Sequence, residues 1–110
     1  MSKFVITKRS NGEYQFNLKA NNGEVILTSE GYVSKGGCEK GIESVMKNAP
    51  HDERYSKSTS VNNKHYFNLK GSNGQVIGSS EMYESALGRD RGIESVKNNA
   101  AKAIIDDQTV

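Results

Sequence analysis

The 110-residue chain contains one cysteine, one proline and no tryptophan. A lone cysteine, Cys38, excludes an intramolecular disulfide, and with only two histidines, far apart at His51 and His65, no zinc site of recognisable spacing can be assembled. A single free thiol fits a reducing compartment. Long apolar runs are also missing: nothing approaches the roughly 20 residues of a membrane-spanning helix, and the opening "MSKFVITKRS" is too short and too interrupted for a signal peptide. These absences predict a cytoplasmic protein with no membrane partner. Charge of one sign is scarce as well. Fifteen basic residues against thirteen acidic ones give a net charge of +2, and the pI of 8.7 lies under the value of about 9 that marks a nucleic-acid footprint.

What is present is a repeat. "FNLKANNGEV" at Phe16 to Val25 returns as "FNLKGSNGQV" at Phe67 to Val76, and "GIESVMKNA" at Gly41 to Ala49 returns as "GIESVKNNA" at Gly92 to Ala100. With a shift of 51 residues, 20 of the 34 positions between Phe16 and Ala49 are identical. Such self-similarity marks a duplicated structural unit: repeat 1 over about 1–52 and repeat 2 over about 53–110, forming a single domain over 1–110. Mean hydropathy is low at -0.73, yet Phe, Tyr, Val, Ile and Leu recur periodically, which predicts a thin ordered core rather than disorder.

In repeat 1 "KFVITKR" (Lys3 to Arg9) is β-rich, Ser10-Asn11-Gly12 turns the chain, and "EYQFNLKA" follows, with Tyr14, Phe16, Leu18 and Ala20 alternating with Gln15, Asn17 and Lys19. Asn22-Gly23 reverses the chain into "EVILTSE". Repeat 2 runs "RYSKSTS", a turn at Val61-Asn62-Asn63, "KHYFNLKG", a turn at Asn73-Gly74, and "QVIGSSE". After Tyr32 and Tyr83 the period becomes helical. Ser34 and Ser85 stand at N-cap positions; Cys38, Gly41, Ile42, Val45 and Ala49 form one stripe, repeated by Gly92, Ile93, Val96 and Ala100. Glycines at Gly41 and Gly92 predict close approach of helix and sheet, and Pro50 closes the first helix. The pattern predicts an α+β fold: two three-strand-helix units forming one antiparallel sheet, both helices on one face, with pseudo-two-fold symmetry. About fifty residues hold too little core to stand alone, so the halves should not fold separately.

The paired "NLK…NG" hairpins, the Tyr and Ser leading into each helix, and the duplicated "GIESV" with "NA" behind it resemble the tandem-repeat form of the YegP-like family of small bacterial proteins, over nearly the whole chain. The resemblance implies a repeated unit of three strands, a helix and a further strand, built into one sheet with terminal strands exchanged between units. It also implies that single-copy members pair as dimers, so the two repeats here replace a dimer and the chain is a monomer. "AKAIIDDQ" (Ala101 to Gln108) is the candidate exchanged strand. The family carries no assigned biochemical function and no recognised catalytic residues.

The side chains capable of chemistry have structural readings. Cys38 lies near a helix N-terminus, which favours a thiolate, but Arg89 takes its place in the second copy and a small apolar stripe residue accounts for it. His65 replaces Tyr14 at a core-edge position. "KGGCEKGIE" at Lys35 to Glu43 has the glycines of a phosphate loop, yet Ile42 and Glu43 stand where Lys and Ser or Thr are required. Glu43 lies off the apolar stripe, and Glu30 and Glu81 are expected to accept hydrogen bonds near the strand-to-helix loop. No catalytic residue, cofactor or metal is therefore expected. The remaining surface is the polar face of the sheet: Gln15, Asn17, Lys19, Lys64, Tyr66, Asn68 and Lys70, the candidate binding face of a non-enzymatic interaction module. A single-stranded nucleic-acid binder using Lys19, Lys64, Lys70 and Tyr66 is one alternative. A small-metabolite binder or enzyme in a groove near Ser34, Glu30 and their repeat mates is the other.

Overall fold

The computed structural model describes residues 1–110. Strands β1 (Lys3–Lys8), β2 (Tyr14–Lys19) and β3 (Val25–Thr28) precede helix α1 (Lys35–Asn48); a short 3-10 turn (Asp52–Arg54) leads to β4 (Tyr55–Thr59), β5 (His65–Lys70), β6 (Val76–Ser79), helix α2 (Ala86–Ala100) and β7 (Ile104–Asp107). All seven strands join one sheet in the order β4-β5-β6-β3-β2-β1-β7.

Local chemistry places these elements where the sequence puts them. Gly23 and Gly74 take the left-handed conformation, each with φ of 85°, where a side chain would be strained. The preceding Asn22 and Asn73 accept the backbone N–H of Glu24 and Gln75 at 3.0 Å, closing the turn from inside. Ser34 and Ser85 cap the helices, each Oγ accepting from the backbone N–H three residues on at 3.0 Å, a bond whose loss costs about 1 kcal/mol. Strand alternation sends Phe16, Leu18, Phe67 and Leu69 into the layer between sheet and helices, all fully buried. There they meet Ile42, Val45, Ile93 and Val96 in one continuous core.

The expected close approach at Gly41 and Gly92 is present, and an aromatic ring is the reason. After β3 the chain pairs Tyr32 with Tyr14 through two backbone hydrogen bonds of 2.7 Å. This lays the Tyr32 ring on Phe16 (centroids 6.3 Å apart, planes at 15°) and under the helix. A Cβ on Gly41 would lie 2.8 Å from Tyr32 Cζ and 3.1 Å from Phe16 Cε2; Gly92 stands in the same relation to Tyr83 and Phe67.

The sheet differs from expectation in one respect: it is mixed, not antiparallel throughout. "IIDD" forms the seventh strand and runs parallel to β1, with Ile104 opposite Lys3 and Asp107 opposite Ile6. The other strands are hairpin neighbours or meet across the pseudo-two-fold. β7 is instead delivered by a helix, a connection long enough for parallel pairing, which a hairpin cannot produce. It ties repeat 2 to repeat 1, assisted by an ion pair of 2.9 Å between Lys35 and Asp107. That lysine and the Thr109 hydroxyl and amide, with Thr109 the larger influence, hold the Asp107 carboxyl down at about 2.

The halves meet where β3 lies against β6, with Thr28 opposite Ser79. Each helix bridges this seam: α1 rests on β2 of its own repeat and on β5 and β6 of the other, and α2 on β5 and on β3. Symmetry fails at one core position. Leu27 is buried, while its repeat mate is Gly78, whose Cβ, if present, would lie 2.7 Å from Leu27 Cγ. One large and one absent side chain fill a space that two leucines could not share.

Two predictions follow from the seam. In urea unfolding, Gly78→Ala destabilises by about 1–3 kcal/mol through overpacking and Leu27→Ala by about 2–5 kcal/mol through a cavity, whereas the double variant loses at least about 1 kcal/mol less than the sum. Strict additivity would refute this complementarity. Residues 1–52 and 53–110 made separately should each give the collapsed amide spectrum of an unfolded chain; a dispersed spectrum with cooperative melting from either piece would contradict the shared core.

Candidate functional site

Both helices cover one side of the sheet, and the other side carries no layer. On it one row of mutual strand partners crosses all seven strands: Asp106, Val5, Asn17, Thr28, Ser79, Asn68 and Ser56. The centre of the row lies on the pseudo-two-fold and is built of small uncharged donors and acceptors. Ser79 Oγ donates to Asn68 Oδ1 at 2.6 Å.

The candidate face residues divide around this row. Gln15, Asn17 and Lys19 on β2, and Tyr66, Asn68 and Lys70 on β5, are half-buried and share the uncovered side. The antiparallel arrangement sends Lys19 and Lys70 to opposite ends of the face: Lys19 pairs with Lys3 and Val25, Lys70 with Val76. Lys3 directly opposite Lys19 is a like-charge cross-strand pair, which disfavours the sheet. Besides Asn68, held by Ser79, two members are already engaged. Arg9 Nε donates to Gln15 Oε1 at 2.5 Å, and Lys64, one residue ahead of β5, is ion-paired with Glu84 in the loop before α2. Their partners lie in turns and loops, where strand alternation gives no signal.

The proposed groove near Ser34 and Glu30 has a physical counterpart, duplicated. Tyr32, Gly41, Ser44, Lys40 and Glu30 of repeat 1 face the β5–β6 turn of repeat 2 across a cleft of about 330 Å³. Tyr83, Gly92, Ser95, Arg91 and Glu81 face the β2–β3 turn of repeat 1 across one of about 250 Å³. Burial, reinforced by the neighbouring Glu30 and Glu81, raises both tyrosine phenols above their ordinary range. The first cleft lies just above and the second below the lower limit of about 300 Å³ for small-molecule pockets. Ser34 and Ser85 are occupied by capping. The hydrogen-bonding role expected of Glu30 and Glu81 belongs to the serines before them. Ser29 Oγ accepts from Phe16 N–H at 2.9 Å and donates to the Glu30 carbonyl at 2.8 Å, and Ser80 repeats this with Phe67 and Glu81.

The remaining reactive groups are in structural positions. Cys38 is fully buried, and burial pushes its thiol up to about 11, which removes the thiolate a nucleophile needs. His65 sits half-buried beside Tyr83, and its Nδ1 is buried without a hydrogen-bond partner. Glu43 is exposed, as expected from its place off the stripe. Sequence reasoning missed Asn48 and Asn99, buried near the helix ends. Each amide donates to the carbonyl four residues earlier, at 2.8 and 2.7 Å, and Asn48 Oδ1 accepts from Arg54 Nε at 2.9 Å, fixing the link into β4. Their duplication one position before the stripe alanines was the available signal.

No helix is long and apolar enough to cross a membrane. The family model "Domain of unknown function (DUF1508)" matches twice, over residues 10–56 and 60–107. The UPF0339 protein YegP of Escherichia coli K12 is 53% identical over 106 residues, 96% of each chain. A UPF0339 protein of Stutzerimonas stutzeri, described as lying in the ptx operon 5' region, is 55% identical over 100 residues, 91% of this chain and 90% of that one. The solution NMR structure of E. coli YegP, described as a protein of unknown function, superposes with a TM-score of 0.93 at 51% identity, covering 97% of this chain and 92% of that chain. The Shewanella oneidensis UPF0339 structure gives 0.91 at 50% identity over 96% and 90%. None of these descriptions names an activity. Two copies of the family domain, relatives of half-identical sequence and the same fold place this chain in the DUF1508, YegP-like family, as its tandem-repeat form.

Proposed function

We propose that this protein is a non-enzymatic cytoplasmic interaction module: a monomer acting as one domain over 1–110, with its repeats meeting near residue 52 and replacing a dimer of single repeats. Its recognition surface is the uncovered sheet face bearing Asn17, Lys19, Tyr66, Asn68 and Lys70, with Gln15 and Lys64 at its margins. The carrying observation is the row from Asp106 to Ser56, which brings polar stripes of both repeats into one continuous surface with no layer over it. A surface with amides and hydroxyls at its centre and lysines toward its ends suits the polar exterior of another protein. The geometry weighs against a polynucleotide. Lys19 and Lys70 are far apart, Lys64 is neutralised by Glu84, Asp106 shares the face, and Tyr66 is the lone aromatic among the candidates.

The non-enzymatic reading predicts an inert thiol. Cys38 should resist Ellman's reagent at pH 8 in the native protein and react with one equivalent in denaturant; rapid native labelling would oppose this reading. The sign of the pH effect follows from the shift. The folded state holds the Cys38 proton to about 11 against an ordinary 9.0, so between those values the unfolded state binds fewer protons and this group's stabilisation declines as pH rises.

For the face itself, a photo-crosslinking residue in place of Asn68 should capture polypeptides in cells that the same residue in place of Val33, an exposed loop position, does not. Equal capture at both positions, or none at either, would count against the face. Titration of the labelled protein with mixed single-stranded RNA at low salt should leave Lys19, Tyr66 and Lys70 unshifted. Salt-sensitive shifts clustered there would instead establish the polynucleotide alternative.

A further inference from the structure

Lys3 and Lys19 stand directly opposite each other on β1 and β2, both half-buried on the uncovered side of the sheet. Cross-strand partners hold their Cβ atoms about 5 Å apart. Neither lysine has a carboxylate partner, since every ion pair of the molecule is made by other residues. Beside them lies the most spacious cavity of the protein, about 460 Å³, inside the range of about 300–1,000 Å³ for small-molecule sites. Its floor is Val5, only 4% exposed although no layer covers this side of the sheet. The side chains around Val5 therefore rise above it. The two lysines form one wall, Asn21 in the β2–β3 turn a second, and Asp106 of β7 with Gln108 just beyond it the third. The Gln108 amide donates to the Asp106 carboxylate at 3.4 Å, so a neutral group and not a lysine engages that carboxylate.

The site is confined to repeat 1. At the positions 51 residues on stand Arg54, Ser56 and Lys70. Arg54 is turned away onto Asn48, its Nε donating to Oδ1 at 2.9 Å. No strand lies beyond β4, whose edge keeps only a groove of about 400 Å³ beside α2. On the other edge, β7 both covers β1 and supplies the third wall of the cavity.

We propose that this cavity binds a small phosphate monoester bearing hydroxyl groups, its phosphate bridging the Lys3 and Lys19 ammoniums and its hydroxyls donating to the Asp106 carboxylate. Two ammoniums within reach of one group are matched by a dianion. A phosphate monoester carries a charge of about −1.5 to −2 at pH 7, with oxygens enough for charge-assisted hydrogen bonds to both lysines. Asp106 sets the character of the other end: it repels a further anionic group and accepts from hydroxyls, while Asn21 and Gln108 offer neutral amides. A polynucleotide does not meet these demands, because its diesters carry one charge each and continue in both directions, against the walls formed by β7 and the β2–β3 turn. The cavity needs no protein partner on the face, so either can fail alone.

The test is an amide NMR titration of the full-length labelled chain, in phosphate-free buffer, with glycerol 3-phosphate, inorganic phosphate, malate and glycerol. Glycerol 3-phosphate should shift Lys3, Val5, Lys19, Asn21 and Asp106–Gln108. Inorganic phosphate should bind the same strands about fivefold more weakly, for want of the hydroxyl contacts, and glycerol should not bind. Lys3→Gln and Lys19→Gln should each weaken glycerol 3-phosphate by about tenfold, the factor carried by one charge-assisted hydrogen bond. Lys47→Gln, exposed on α1, should leave it unchanged. Asp106→Ala should erase the advantage of glycerol 3-phosphate over inorganic phosphate. In urea the free Lys19→Gln chain should be at least as stable as its parent, because a like-charge pair is gone, so its lost binding is not a lost fold. Absence of shifts at these residues, or an equal loss with Lys47→Gln, would overturn the site. Malate binding as tightly as glycerol 3-phosphate would overturn the phosphate monoester in favour of dianions at large.

Discussion

The seam between β3 and β6 is the constraint on which the rest of the molecule depends. One register pair, Thr28 with Ser79, joins two three-stranded sheets, and a ladder so short cannot hold them against the entropy of separation. The helices supply what the ladder lacks. Because α1 reaches β5 and β6 and α2 reaches β3, each half's apolar stripe is buried by the other half. Leu27 occupying the space left by Gly78 fixes this union as one between unlike halves. Neither the helices nor the open face keeps its position if the seam opens.

Covalent linkage of the repeats gives the two sheet edges different fates. The residues after α2 are free to run along β1 and become β7. The equivalent residues after α1 are consumed as connector and as the start of β4, held by Arg54 on Asn48. A molecule with pseudo-two-fold symmetry at its centre is therefore unsymmetrical at its rims. One edge is closed by its own chain and anchored by Lys35 and Asp107, while the other presents a groove of the same origin without a strand.

Much of this was legible from local signals. Alternation along "YQFNLK" and "HYFNLK", the Asn-Gly turns, the capping serines and the stripe from Cys38 to Ala49 each act within a few residues, and each element formed where they placed it. Membership of the open face was legible for the same reason, since period two assigns Asn17 and Asn68 to the side opposite Phe16 and Phe67. The rest depends on contacts distant in sequence. "IIDD" has no alternation and no hairpin to declare a partner, so its parallel pairing with β1 was hidden. The separation of Lys19 from Lys70 follows from strand order, not spacing. The capture of Lys64 by Glu84 joins residues 20 apart, and the serine contacts to Phe16 and Phe67 each span 13. Propensity and periodicity do not reach that far.

The duplication itself carries a final physical argument. Residues shared by the repeats serve demands that both halves face equally: Phe16 and Phe67 in the core, Gly41 and Gly92 beneath the tyrosines, Ser34 and Ser85 at the caps. Sharing therefore cannot separate fold from function for Asn17 or Lys19. Divergence is more informative, because it should collect where the halves experience different neighbours. Leu27 and Gly78 differ at the seam. Ile6 and Lys57, Lys35 and Ala86, and Met46 and Lys97 differ along the two edges, where one side is covered by β7 and the other is not. An apolar residue has become a lysine at two of these positions on the uncovered edge. Charged residues, lysine above all, are what a solvated strand edge uses against indiscriminate pairing. Lys57 and Lys97 thus mark β4 as a solvated edge with Tyr55 half-exposed beneath it, while the equivalent positions beside β7 are apolar.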